Sequence, residues 1–376
     1  MENTPFPVTR RRAEELVAAH GSPLILLSLK QASQNYVTMQ RLMPEVLPHY
    51  AMKSNPHPEL VKTFAQLGSH FDVATVGEME VLHKLGVPGE RMLYANTIKP
   101  QQSLLRAKEL GCKGVTYDNH AELEKIADCW PGCPVLLRLR VENPDALVDL
   151  NAKFGALESD ALSLLKAASD LGLKVLGLSF HVGSQTREAT PFVRALETCR
   201  RVFDSAKEAG LNLTVLDMGG GWPIPERGQN IDASALMTTV YAKAKELFPG
   251  VELWAEPGRF FCGTTATLLT TVIGKEVRDG KAWYFLDDGL YGTFSGVIFD
   301  HWDFDLHFPR QGEEHLSVFA GPSCDSLDVM FRDRMAPDLQ MGDLIMVPYA
   351  GAYTSASATT FNGFALTKIL VLEEES

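Results

Sequence analysis

Between about residue 25 and residue 262, short apolar runs alternate with amphipathic stretches of helical period. The runs read 23–28, 49–52, 70–73, 91–94, 114–117, 135–138, 175–180, 214–218 and 252–255. Helical stretches such as 58–67, 76–85, 101–110, 121–127, 159–171 and 191–208 lie between them. Such βαβα alternation means parallel strands joined by crossovers. With 23–28 as a lead-in strand, eight or so repeats suit a closed (β/α)8 TIM-like barrel better than an open doubly wound sheet, which periodicity alone leaves open. After Cys262 the texture changes. The runs 268–273, 282–287, 316–320, 344–347 and 366–371 follow one another without long helices, the pattern of a mostly antiparallel β domain. The expected division is therefore a barrel over 25–262 and a β domain over 263–376, with residues 1–24 packing on the latter.

Composition narrows the function classes. With 47 Asp and Glu against 35 Lys and Arg, the chain carries a formal charge of −12. That argues against a nucleic-acid partner, whose affinity comes mainly from Lys and Arg on phosphates. No apolar run reaches the roughly 20 residues that span a bilayer, and no h-region follows Arg10, Arg11 and Arg12. The cysteines Cys112, Cys129, Cys133, Cys199, Cys262 and Cys324 show no CxxC or zinc spacing, so no metal site is expected. Reduced thiols and the lack of a leader place the protein in the cytoplasm.

Five constellations carry chemistry. In Tyr50-Ala51-Met52-Lys53-Ser54-Asn55-Pro56 a lysine ends an apolar strand. It is either a solvated strand end or a desolvated amine able to form a Schiff base, with Asp72 ending the next strand as its neighbour. His181, in Phe180-His181-Val182-Gly183-Ser184, follows another apolar strand, where barrel enzymes place working residues. Its ring is either structural or stacked flat on a cofactor, and Ser184 could donate to a phosphate. Gly219-Gly220-Gly221 is either a tight turn or a set of converging N–H groups for an anion. It has neither a GK[ST] nor GxGxxG spacing. Glu256-Pro257-Gly258-Arg259 pairs an acid suited to a protonated ring nitrogen with an arginine suited to a phosphate. Finally, Gly321-Pro322-Ser323-Cys324-Asp325 and Gly351-Ala352-Tyr353 lie in the second domain. Cys324 is either an inert thiol or a proton donor to a carbanion.

Taken in order, these motifs resemble the fold-type III pyridoxal-phosphate (PLP) decarboxylases, from about Tyr50 to Phe364. Tyr94-Ala95-Asn96, Lys153-Phe154-Gly155, Asp288-Gly289-x-Tyr291-Gly292, Phe299-Asp300-His301 and Thr360-Phe361-Asn362-Gly363-Phe364 look like the eukaryotic-type ornithine decarboxylase branch. The resemblance implies PLP as cofactor, Lys53 as its Schiff-base lysine, Asp72 beside it, His181 on the ring and Glu256 at the ring nitrogen. Ser184, Gly221, Gly258, Arg259 and Tyr353 would hold the phosphate. It also implies a head-to-tail homodimer in which Cys324 and Asp325 enter the partner's site, and Asp300 with Asp325 binding the distal ammonium of the substrate. The expected reaction is decarboxylation of a basic amino acid, ornithine to putrescine first and lysine second. An inactive homologue that binds a regulatory protein, as the antizyme inhibitors do, is the competing class, although it would have no need of Lys53, His181 or Glu256. The stretch Trp302-Asp303-Phe304-Asp305 is more aromatic and acidic than that branch leads one to expect, and leaves the substrate's chain length open.

Overall fold

The computed structural model describes residues 6–141, 143 and 153–372. Two compact units divide them: Ser33–Pro225 with Asn230–Phe261, and the residues up to Ala32 with Glu226–Gln229 and Cys262 onward. The first strand, β1 (Leu24–Leu27), belongs to the second unit. The sequence reading had it leading into the barrel, so the barrel's expected start at residue 25 moves to Ser33. All four of its residues are buried, so it lacks the alternation that would have marked its sheet.

Eight strands form the closed barrel of the first unit. They are β2 (Val46–Ala51), β3 (His70–Val73), β4 (Met92–Tyr94), β5 (Gly114–Tyr117), β6 (Pro134–Leu139), β7 (Lys174–Phe180), β8 (Val215–Asp217) and β9 (Glu252–Ala255). Each pairs in parallel with the next, and β9 closes on β2 through Val46↔Leu253, Leu47↔Trp254 and Pro48↔Ala255. The covering helices follow from amphipathic spacing. In Thr190–Glu208 the buried set is Phe192, Ala195, Leu196, Cys199, Val202, Phe203 and Ala206, one apolar stripe of period 3.6. Caps fix their starts: Thr75 accepts from Glu78 N, Asn119 from Glu122 N, and Asp232 from Ala235 N. Short strand-to-helix connections of this kind leave the carboxyl ends of the strands free to carry chemistry.

In the second unit β1 lies between β10 (Ala266–Arg278), antiparallel, and β15 (Lys368–Val371), parallel. The sheet continues through β11 (Lys281–Leu286), β12 (His315–Ala320) and β13 (Val329–Ala336), and β14 (Leu344–Val347) also pairs with β10. Of the six pairings four are antiparallel. Ala13 and Leu16 of the helix Arg10–His20 pack with Leu24, Leu26, Leu269, Leu344 and Met346 in one core. The N-terminal segment is thus part of this unit. Among the described residues no helix is long and apolar enough to cross a membrane.

Candidate active site

The working groups of the barrel sit at the carboxyl ends of its strands. Lys53 follows β2 in the turn Met52–Ser54, and its Nζ lies 3.5 Å from Asp72 Oδ2 on β3. Asp72 is buried, whereas 43% of the lysine side chain is exposed. The chain pairs this lysine with a buried carboxylate at the barrel mouth.

Behind this pair lies a cluster of buried charges. Glu256, after β9, and Asp217, on β8, are both fully enclosed. Burial drives the Glu256 carboxyl well up, and Asp217 and Asp72 push it the same way. Asp217 rises to about 6 through burial, opposed by the hydrogen bond it accepts from Gly219 N at 2.9 Å. Three carboxylates thus face two cations, Lys53 and Arg138, and the surplus of negative charge works with burial to raise Glu256 and Asp217. Arg138, on β6, stands over the Phe154 ring at 5.3 Å; its Nε and one terminal nitrogen have no hydrogen-bond partner among the described residues. Glu78 extends the cluster: its Oε2 accepts from Ala74 N at 2.6 Å, and burial raises it to about 7.

Two loops close the mouth. His181 follows β7 and is 7% exposed. Its Nδ1 accepts from Gly183 N at 3.0 Å, so the ring proton sits on Nε2. Burial, with Arg138 and Lys53 nearby, keeps this imidazole neutral. The glycine loop approaches so closely that side chains are barred. A Cβ on Gly219 would lie 1.9 Å from Phe180 O, one on Gly220 2.7 Å from His181 Nε2, and one on Gly221 2.4 Å from Gly183 O. Gly219 and Gly221 also hold positive φ, +63° and +100°. Thr186 N donates to Gly221 O at 2.9 Å, joining the two loops, and Asn143 Nδ2 donates to Val182 O at 2.7 Å from beyond β6. Ser184, in the His181 loop, is half-buried. Gly258 and Arg259 open the short helix Arg259–Cys262, with the arginine 4% exposed. Lys53, Asp72, His181, Ser184, Gly221, Glu256, Gly258 and Arg259 are thereby all carried by the barrel unit.

The remaining expected residues belong to the β unit. Asp300 ends the short helix Gly296–Phe299, is 6% exposed, and its N–H donates to Gly296 O at 3.0 Å. Tyr353 is half-buried with φ +54°. Cys324 is exposed, unlike the buried Cys112, Cys133, Cys199 and Cys262. Its Sγ and N–H both donate to Asn362 Oδ1, at 3.4 and 3.3 Å. Asp325 accepts from Leu327 N and from the Tyr291 hydroxyl, and these bonds hold its carboxyl below the usual range. A cavity of about 240 Å³ beside this loop is lined by Asp288, Tyr291, Ser323, Asp328, Phe361 and Phe364, among others. Two buried acids explain the surrounding glycines. A Cβ on Gly292 would fall 2.0 Å from Asp288 Oδ1, and one on Gly321 2.3 Å from Asp328 Oδ1.

Sequence reasoning assigned no role to Arg138, Asp217 or Glu78. The first two gave the same signal as Lys53, a charge at the carboxyl end of an apolar run; Glu78 gave none, because its position on a helix looks solvated.

The fold and this mouth define a barrel enzyme that works at the carboxyl ends of its strands. Residues 29–263 match the family model described as pyridoxal-dependent decarboxylase, pyridoxal binding domain. The lysine/ornithine decarboxylase of Selenomonas ruminantium is 46% identical over 371 residues, 98% of this chain and 94% of that protein. The crystal structure of SrLDC in complex with PLP and cadaverine superposes with a TM-score of 0.93 at 44% identity, covering 98% of this chain and 95% of that one. The lysine/ornithine decarboxylase of Vibrio vulnificus, complexed with putrescine, gives 0.91 at 36% identity over 98% and 99%. This chain belongs to the fold-type III PLP-dependent decarboxylases, in the ornithine decarboxylase branch. It is an amino acid decarboxylase with PLP as its cofactor, which sets aside the inactive binding homologue. The residues fit that cofactor: side-chain-free glycines leave a backbone cradle, Arg259 is a buried cation, and the Glu256 carboxyl, pushed up by burial and by Asp217 and Asp72, would be stabilised as a carboxylate by a cationic ring.

Proposed function

We propose that the enzyme converts L-ornithine to putrescine and accepts lysine as a second substrate. The observation that carries the choice is the pair of carboxylates on the β unit, Asp300 and Asp325. Two acids suit a substrate whose side chain ends in an ammonium, since a charge desolvated without a partner is costly. The acidic excess that clouded this reading is accounted for within the chain: Asp303 bonds Arg227 and Arg334, and Asp305 bonds His307. Lysine enters because the 46%-identical relative is a lysine/ornithine decarboxylase, and one methylene discriminates by only about 1–3 kcal/mol.

The roles follow from the chemistry of each group. PLP, when bound, accepts the electron pair left at Cα as CO₂ departs. Lys53 supplies the amine that holds the cofactor, and Asp72 orients it. Glu256 presents its carboxyl to the ring nitrogen and keeps that nitrogen protonated, which favours decarboxylation over racemisation. The neutral His181 offers a flat, uncharged face. Ser184, Gly221, Gly258, Arg259 and Tyr353 hold the phosphate. Cys324 returns a proton to Cα. In our reading it does so across a homodimer, serving the partner's Lys53; the exposed thiol, with Leu327, Phe361 and Phe364 also exposed, supports this. Measuring CO₂ release from ornithine, lysine, arginine and diaminopimelate tests the substrate. Release from diaminopimelate, and not from ornithine or lysine, would overturn the assignment.

A further inference from the structure

The segment that follows Asp300 is held from both sides. Its burial alternates: Trp302, Phe304 and Leu306 are buried, while Asp303 and Asp305 are half-exposed. On the inner side Phe304 meets Phe294 edge-on at 5.2 Å, and the N–H groups of Asp300 and Trp302 both donate to Gly296 O at 3.0 Å. His301, between them, has φ +52°. On the outer side one arginine spans both acids. Arg227 Nη1 lies 3.1 Å from Asp303 Oδ2, and its Nε 3.7 Å from Asp305 Oδ1. The other Asp303 oxygen takes Arg334, which is buried over the Phe331 ring at 4.3 Å. Asp305 is also bonded to His307 Nε2 at 2.9 Å.

Arg227 comes from elsewhere in the chain. It lies six residues after Gly221, in the short piece Glu226–Gln229 that leaves the barrel unit at Pro225 and returns to it at Asn230. Isolated exposed ion pairs contribute little, but this set is a network with one buried arginine and an aromatic anchor behind it. Such a network suits holding a loop in one place more than it suits overall stability.

We propose that Arg227 is a positioning residue for substrate selection. By gripping Asp303 and Asp305 it fixes the segment carrying Asp300, and so fixes the length of side chain whose ammonium that carboxylate meets. The inference rests on the reading of Asp300 as an ammonium partner. A carboxylate free to follow its partner cannot tell apart two substrates differing by one methylene; a fixed one can.

The test is steady-state kinetics on the PLP-loaded enzyme with ornithine and lysine. Arg227→Ala should raise KM for the preferred substrate about two- to fivefold, the effect of one lost ion pair of this kind. It should keep kcat within about twofold and narrow the ornithine-to-lysine ratio of kcat/KM by a similar factor. Arg227→Lys, with a single point charge in place of a fork, should fall between the two. Asp303→Asn, which also deprives the buried Arg334 of its partner, should shift KM in the same direction and at least as far, and adding Arg227→Ala to it should change KM by less than Arg227→Ala does alone. Raising salt from about 0.05 to about 0.5 M should raise KM more for the wild type than for Arg227→Ala, in which only the pairing with the substrate is left to screen. An unchanged KM and substrate ratio in Arg227→Ala, or a loss of thermal stability alone, would overturn the proposal. Wild-type enzyme that releases CO₂ from neither substrate would instead show that the function reading failed, before any variant is compared.

Discussion

Gly220→Ala probes the glycine cradle directly. Its Cβ would stand 2.7 Å from His181 Nε2 and 2.9 Å from Glu256 O, where ordinary contact is about 3.5 Å. One neighbour is backbone and the other a ring that is 7% exposed, so neither yields without displacing its surroundings. Overpacking of this size costs about 1–3 kcal/mol. The cost divides between two measurable quantities. If the cofactor-free protein relaxes by turning His181 aside, the whole cost returns when PLP binds, and its Kd rises by about 5- to 140-fold. If the loop does not relax, the cost appears as a lower melting temperature, with a smaller change in Kd. Titrating PLP by its near-visible absorbance, alongside melting of the cofactor-free protein, measures both. Gly210→Ala is the control: φ there is +83° and nothing lies within 4 Å, so it carries strain without overlap. It should lower the melting temperature and leave PLP affinity alone. If Gly220→Ala matched wild type in both Kd and melting, the close approach of the two loops would not be what forbids a side chain there.

Three further outcomes are expected. Cys324→Ala should keep the absorbance of the PLP-loaded enzyme but make the amine about 10²–10⁴-fold more slowly, the usual contribution of a placed proton donor; a clean, full-speed variant would remove the thiol from that role. Glu256→Gln should still load PLP and should lose on the order of 10²-fold in kcat, because a neutral amide does not hold the ring nitrogen protonated; kcat within a factor of about three would remove that role. At the foot of the barrel, His49 is fully buried and held well below its usual pKa by burial, with His70 and Lys113 adding to this, and His70 itself is pushed down to about 4. Depressed histidines bind fewer protons folded than unfolded, so stability is full above about pH 6.5 and falls as pH drops toward the folded values. The fully buried His49 should contribute more to this loss than the more exposed His70. Urea midpoints against pH should flatten over this range in His49→Leu, and an unaltered acid limb would contradict the assignment.

What could be read from the chain, and what could not, follows from the range of the interactions concerned. The barrel strands were legible because each apolar run is local, and so was the place of Lys53, Asp72, His181 and Glu256 at strand ends, because the end of a run is also local. The strand Leu24–Leu27 was not, since its partners Ala266–Leu269 and Lys368–Val371 are more than 200 residues away and its all-buried pattern fits either sheet equally. Arg138 and Asp217 carried the right local signal, yet their meaning lies in one another's company: a buried arginine is a structural curiosity until four carboxylates, Glu256, Asp118, Asp72 and Asp217, are found around it. The same holds for Asp303 and Asp305. In the sequence they looked like surplus substrate acids, and only the fold brings Arg227 and Arg334 onto them. This changes the argument about substrate. Acids already paired with cationic side chains do not bid for a substrate ammonium, so on the proposed function the acids left for the side chain are Asp300 and Asp325, whose bonds are to neutral donors where they are described. On the proposed function, diaminopimelate, whose far end carries a carboxylate as well as an ammonium, would be repelled by both, so the two residues proposed to take the ammonium of ornithine or lysine would also exclude that substrate.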